Sequence, residues 1–248
     1  MQRIFLILLA LTVVTVSGCA MSEATRKQAS YHFQMGLSYL GENNIPRALV
    51  EFTEAEKINP EDPELLNYLG LTYFYKKKYE LAEVKYLKAL KMRPAYSEVR
   101  NHLGVNYLEM RRWDDAIKQF QMVSDDLFYQ NPEVPVINMG LAYYGKGDYT
   151  KALTVLQAAV NDFPRVPQAR VTLGKVFMAT GKIGQAIGEF RTAIEMNKEY
   201  ADAHYNLGLA YVKINNNVAA MSAFREVVRV SPDSDRGQSA RDYLETLK

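Results

Sequence analysis

The sequence predicts an all-α solenoid of six helix hairpins stacked side by side and closed by one further helix. Three observations predict it. Gly36, Gly70, Gly104, Gly140, Gly174 and Gly208 recur at intervals of 34, 34, 36, 34 and 34 residues. Twelve residues after each stands an alanine: Ala48, Ala82, Ala116, Ala152, Ala186 and Ala220. Three residues after each glycine is an aromatic (Tyr39, Tyr73, Tyr107, Tyr143, Phe177, Tyr211), and four after each alanine comes Phe52, Tyr86, Phe120, Leu156, Phe190 or Phe224. A glycine inside a helix costs about 1 kcal/mol relative to alanine, so six at one register imply a close approach of a neighbour to the backbone there. The alanine is read as the other half of that contact, with the rings filling the gaps between small residues. Each hairpin then carries an apolar face that only stacking can bury.

The elements follow in order. Hairpins are placed at 29–62, 63–96, 97–132, 133–166, 167–200 and 201–232, with Pro60, Pro94, Pro164 and Pro232 in the loops where second helices have ended. The third unit breaks the spacing: SDDLFYQNPEVP, residues 124–135, replaces the expected loop proline. That insertion is open to two readings, a change of angle dividing the array in two or a tolerated loop extension. Residues 233–248 form the closing helix, because Ala240, Tyr243, Leu244 and Leu247 make one apolar stripe with charged residues between them. The repeated glycine, alanine and aromatics resemble the tetratricopeptide pattern six times over, and that resemblance implies a right-handed superhelix.

Residues 1–18 read as a signal peptide: Arg3, an uncharged apolar run from Ile4 to Val16, then Ser17 and Gly18. The run is shorter than the roughly 20 apolar residues a spanning helix needs. Val16, Ser17, Gly18 and Cys19 resemble the lipobox of bacterial lipoproteins. The resemblance implies cleavage before Cys19, diacylglycerol on its sulfur, and an acyl chain such as palmitate on the new amino terminus. Each buried methylene contributes about 0.8 kcal/mol, so several chains hold a soluble domain at a bilayer. Ala20 is not the aspartate that by the same analogy retains lipoproteins at the inner membrane, so the expected place is the periplasmic face of the outer membrane. Residues 19–28 are read as a lipidated polar tether.

Charge and motifs narrow the function. Once Arg3 is set aside, 29 basic residues face 28 acidic ones, which gives no basic footprint for nucleic acid. A single cysteine and the dispersed His32, His102 and His204 do not assemble a metal site. No phosphate-binding loop, zinc-protease motif or nucleophile elbow is present, and the glycines of GKGDY (145–149) fall at a repeat turn. The reading is of a protein that is not an enzyme and needs no cofactor, and whose work is binding.

By the tetratricopeptide resemblance, the first helix of each hairpin lines a concave groove three residues before the glycine and one and four after it. Carried over, the positions are Phe33, Leu37 and Leu40; Asn67, Leu71 and Phe74; Asn101, Val105 and Leu108. They continue with Ile137, Leu141 and Tyr144; Val171, Lys175 and Met178; Tyr205, Leu209 and Val212. The set is mostly apolar, which suits an amphipathic helix or an extended hydrophobic segment of a partner; the competing reading is burial of the lining within the protein itself. Lys76, Lys77, Lys78, Arg111 and Arg112 occupy corresponding turns as a basic edge, readable as compensation of helix dipoles or as a docking edge for anionic lipid or an acidic partner.

Lipobox, tether, six repeats, Leu127, Phe128, Tyr129 and Pro132 in the third junction, and RNHLG at 100–104 together resemble the type IV pilus biogenesis lipoproteins, the pilotins. That resemblance implies a scaffold that binds an outer-membrane secretin subunit, or another pilus-assembly component, and aids its localisation. A generic lipoprotein adaptor for envelope, peptidoglycan or polysaccharide-export machinery would carry the same anchor and repeats.

Overall fold

The structure is a computed structural model that describes residues 22–247. The signal segment 1–18 and Cys19 therefore lie outside the described residues. Among those described are thirteen α-helices and no strand. The chain divides into two compact units, one ending at Pro60 and the other running from Glu61 to the end.

The first unit holds one hairpin, α1 (Glu23–Gly41) and α2 (Ile45–Ile58). Helix α1 starts well before residue 29, so residues 23–28 are helical rather than the polar tether the composition suggested. The reason is local. Ser22 caps the helix by accepting from the Thr25 amide, Glu23 sits in the first turn, and Lys27 pairs with Glu23 one turn on at 2.6 Å. Polar residues of good helix propensity extend the helix without needing a core.

The second unit comprises α3 (Pro63–Tyr75), α4 (Tyr79–Met92), α5 (Ser97–Glu109), α6 (Trp113–Ser124), α7 (Glu133–Lys146) and α8 (Tyr149–Asp162). It continues with α9 (Pro167–Ala179), α10 (Ile183–Met196), α11 (Ala201–Lys213), α12 (Asn217–Val230) and α13 (Asp235–Thr246). Helices pack with their sequence neighbours, and the first helices of successive hairpins also touch, as α3 does α5 and α7 does α9. Tyr243 of α13 stacks flat on Phe224, with ring centres 4.7 Å apart, and so closes the array.

The atoms nearest each repeat glycine belong to a large side chain of the second helix, a ring in five of the six hairpins. A Cβ built at Gly104 would lie 2.5 Å from Phe120, and each of the other repeat glycines likewise faces the side chain sixteen residues on: Phe52, Tyr86, Leu156, Phe190 or Phe224. The alanines are fully buried. They let the second helix approach, and the large side chain one turn further along reaches the bare backbone. Gly145 does the same for the ring of Trp113.

The hairpin turns have their own repeat. Asn43, Lys77, Arg111, Gly147, Gly181 and Asn215 all have positive φ, each seven residues after the packing glycine. The next amide then reaches back five residues, as Lys78 N does to Tyr73 O at 2.9 Å and Arg112 N to Tyr107 O at 2.9 Å, which completes a Schellman close. Lysine and arginine occupy that conformation at a cost of about 1 kcal/mol that glycine does not bear. Lys77→Gly and Arg111→Gly are each expected to raise stability by about 0.5–1 kcal/mol, read as a higher urea midpoint with unchanged slope.

The interior of the second unit forms two apolar clusters. One gathers Leu66, Tyr86, Val99, Leu103 and Phe120 with Met139 and Ala142 of α7; the other runs from Ile137 of α7 through Leu156, Leu173, Phe190 and Phe224 to Ala240. The insertion after α6 is residues 125–132, held by Asp126, which accepts hydrogen bonds from Ser97 Oγ and the Phe128 amide. Asp126 is kept below the usual carboxylate range chiefly by the Ser97 bond.

Candidate functional site

The groove positions separate into two kinds. In the second unit, Asn67, Asn101, Ile137 and Val171, all three residues before a glycine, are 1%, 9%, 2% and 1% exposed. They are interior residues and not open lining, because from that register they face the neighbouring first helix. Leu71, Phe74, Val105, Leu108, Leu141, Tyr144, Lys175, Met178, Leu209 and Val212, one or four residues after a glycine, are half-buried. Tyr205 is half-buried as well, set edge-on against Phe224 and Tyr243. Several of these half-buried side chains also pack on the two clusters, among them Phe74, Val105, Leu108, Tyr144 and Met178. In the first unit Phe33, Leu37 and Leu40 are half-buried, with the Phe33 ring 5.9 Å from Phe52. In the second unit, what remains accessible is thus an apolar strip whose side chains are anchored below and open above.

Two of the three polar groove members, Asn67 and Lys175, are already engaged. Asn67 Oδ1 meets His102 Nδ1 at 2.9 Å, and burial pushes the His102 pKa down, with Glu98 opposing. Lys175 pairs with Asp202 at 3.1 Å, and Asp202 also holds Arg236, so Lys175 is no free clamp for a carboxylate. Asn101 Oδ1 is buried without a partner. His32 pairs with Glu51 at 2.8 Å, and His204 Nε2 lies 2.8 Å from Lys198 O. Among the described residues no group of three or more metal-ligating side chains comes together.

The basic edge is also uneven. Lys76, Lys77, Lys78, Arg111 and Arg112 are all exposed, but they are not equally free. Arg112 is engaged although its side chain is 40% exposed: its guanidinium donates to both Glu83 oxygens at 2.9 Å and to Asp115 at 2.7 Å, and lies over the Tyr107 ring at 4.3 Å. Tyr107 donates to the same Glu83, and burial, then that bond, pushes its pKa up. Arg112 therefore ties α4 to the turn before α6. Leu127 and Phe128 of the third junction are 92% and 93% exposed, and α4 carries an outward apolar ridge to which the repeat pattern did not point. Comparing the second helices position by position would have revealed the ridge.

Stacked hairpins with glycine-to-ring packing, a residue with positive φ in each turn and a closing helix define a tetratricopeptide-repeat solenoid, a fold of protein-interaction scaffolds. Models described as tetratricopeptide repeat match residues 33–98, 137–180 and 201–234, and one described as TPR repeat matches 174–215. The chain is similar to the crystal structure of PilW, described as a widely conserved type IV pilus biogenesis factor, with TM-score 0.73 and 20% identity over 86% of this chain and 98% of that one. It is similar also to pilF of Pseudomonas aeruginosa, with TM-score 0.67 and 18% identity over 89% of this chain and 99% of that one. At these identities the likeness establishes the fold. A curated relative, Superkiller complex protein 3 of Mus musculus, is 30% identical over 40% of this chain and 6% of its own length. The next two curated relatives are likewise matched over only 15% and 38% of their length.

Proposed function

We propose that the chain is a lipid-anchored scaffold of type IV pilus biogenesis that grips an outer-membrane secretin subunit in its half-open apolar strip. It does no covalent chemistry on its partner. The supporting observation is that the likeness to PilW and pilF extends across nearly the whole of both of those chains, rather than over a few shared repeats. Cys19, with its lipobox-like context, supplies the anchor, at the periplasmic face of the outer membrane. Tethering concentrates the bound subunit where it must insert. Half-buried Leu71 and Phe74 are the proposed grip, since their outer faces stay available to an amphipathic or extended apolar segment.

The test is a pull-down from detergent-solubilised membranes, using the full chain, Cys19→Ser and Leu71→Asp. A secretin as the major partner, lost with Leu71→Asp while the helical signal is kept, is the expected result. Cys19→Ser is expected to abolish incorporation of labelled fatty acid into the chain, and labelling that persists would overturn the lipid anchor. Recovery of peptidoglycan or polysaccharide-export components in place of a secretin would overturn the pilus assignment and establish the general envelope adaptor instead.

A further inference from the structure

In the second unit the second helices of the hairpins present equivalent outward positions 11, 14 and 17 residues after each packing glycine. In α6 these are Asp115, Lys118 and Gln121; in α8, α10 and α12 they are likewise polar or small. In α4 all three are large and apolar: Leu81, Val84 and Leu87, exposed to 49%, 59% and 47%, with Met92 exposed at the helix end. Lys88 and Lys91 lie one turn on from Val84 and Leu87 and so share this face. Residues 76–93 carry seven cations and two carboxylates, while the whole chain has a formal charge of only +2.

We infer that the outer face of α4, with the lysine turn before it, docks on the surface of an anionic phospholipid bilayer. The side-chain chemistry selects this occupant. Protein interfaces are enriched in aromatics and arginine and depleted in lysine, whereas this face is aliphatic and lysine-rich. A lysine beside an aliphatic ridge lays its stem along the acyl boundary and keeps its ammonium among headgroup phosphates. The ridge enters the interface while Lys76, Lys77, Lys78 and Lys91 ring it with charge that only an anionic surface rewards. The inference is independent of the secretin reading, because it concerns the opposite use of the repeats: seating the scaffold and not gripping cargo.

The test is local, so that the apolar segment 4–16 does not obscure it. The full chain with Cys19→Ser and Val84→Cys carries an environment-sensitive fluorophore at residue 84; a control carries it through Lys118→Cys on α6. Vesicles of phosphatidylcholine with phosphatidylglycerol are expected to shift the emission at residue 84 to the blue, pure phosphatidylcholine vesicles to leave it unchanged, and added salt to reverse the shift. Replacing Lys77 or Lys91 by Gln is expected to raise the lipid concentration at half-maximal shift about five-fold each. An unshifted emission at residue 84 on anionic vesicles, an equal shift at residue 118, or a shift elicited only by an acidic protein would overturn the inference.

Discussion

Phe120→Ala is expected to lower the stability of the second unit by about 3–5 kcal/mol, the range for emptying a fully enclosed aromatic site. Phe120 is 0% exposed and its ring covers the bare backbone of Gly104, so truncation opens a void between α5 and α6 that neither helix can close. Phe120→Leu is expected to cost far less, about 1–1.5 kcal/mol, because the fourth hairpin already performs the same contact with Leu156 over Gly140. Urea unfolding followed by far-ultraviolet circular dichroism gives both numbers. The two substitutions together separate loss of enclosed volume from loss of aromatic character. If Phe120→Ala and Phe120→Leu cost the same, the ring's shape and not its volume sustains the contact.

Gly70→Ala should destabilise by about 1–3 kcal/mol, although helix propensity alone would have it stabilise by about 1 kcal/mol. The added Cβ would run into the Tyr86 ring, which is itself 1% exposed and has nowhere to go. Gly188→Ala in α10 is the matched control: nothing lies within 4 Å of the new Cβ, so a gain of about 0.5–1 kcal/mol is expected there. Opposite signs for the same chemical change would establish that the repeat glycines are kept for ring contact. Equal signs would mean that Tyr86 can rotate away and that the spacing has another cause.

The features legible in the sequence were those that recur. Six glycines at one spacing demanded a close approach, and the approach is there, but spacing could not say which atom arrives: Ala82 and Tyr86 differ by one helical turn and both are buried. Sequence likewise could not separate Asn67 from Leu71. Both lie on the first helix of one hairpin, and only the packing of α3 against α5 sends one inside and leaves the other half open. That the surface cation Arg112 is tethered could not be read locally, because its partner Glu83 lies in the preceding hairpin, a contact between repeats that no local pattern encodes. The start of α1 was missed for the converse reason, since a capping serine and an i, i+4 ion pair suffice for a helix end without any apolar periodicity. Position-dependent differences between repeats, such as the α4 ridge, are invisible to a search for sameness.

The sharing of α7 between two interiors governs the order in which the second unit comes apart. Ile137 belongs to one cluster while Met139 and Ala142, on the same helix, belong to the other. Melting on either flank therefore strips α7 of half its shelter and leaves the remaining half in place. Hydrogen exchange during thermal unfolding is expected to show the α7 amides protected for as long as either cluster stays folded, and loss of that protection while one cluster persists would count against the sharing.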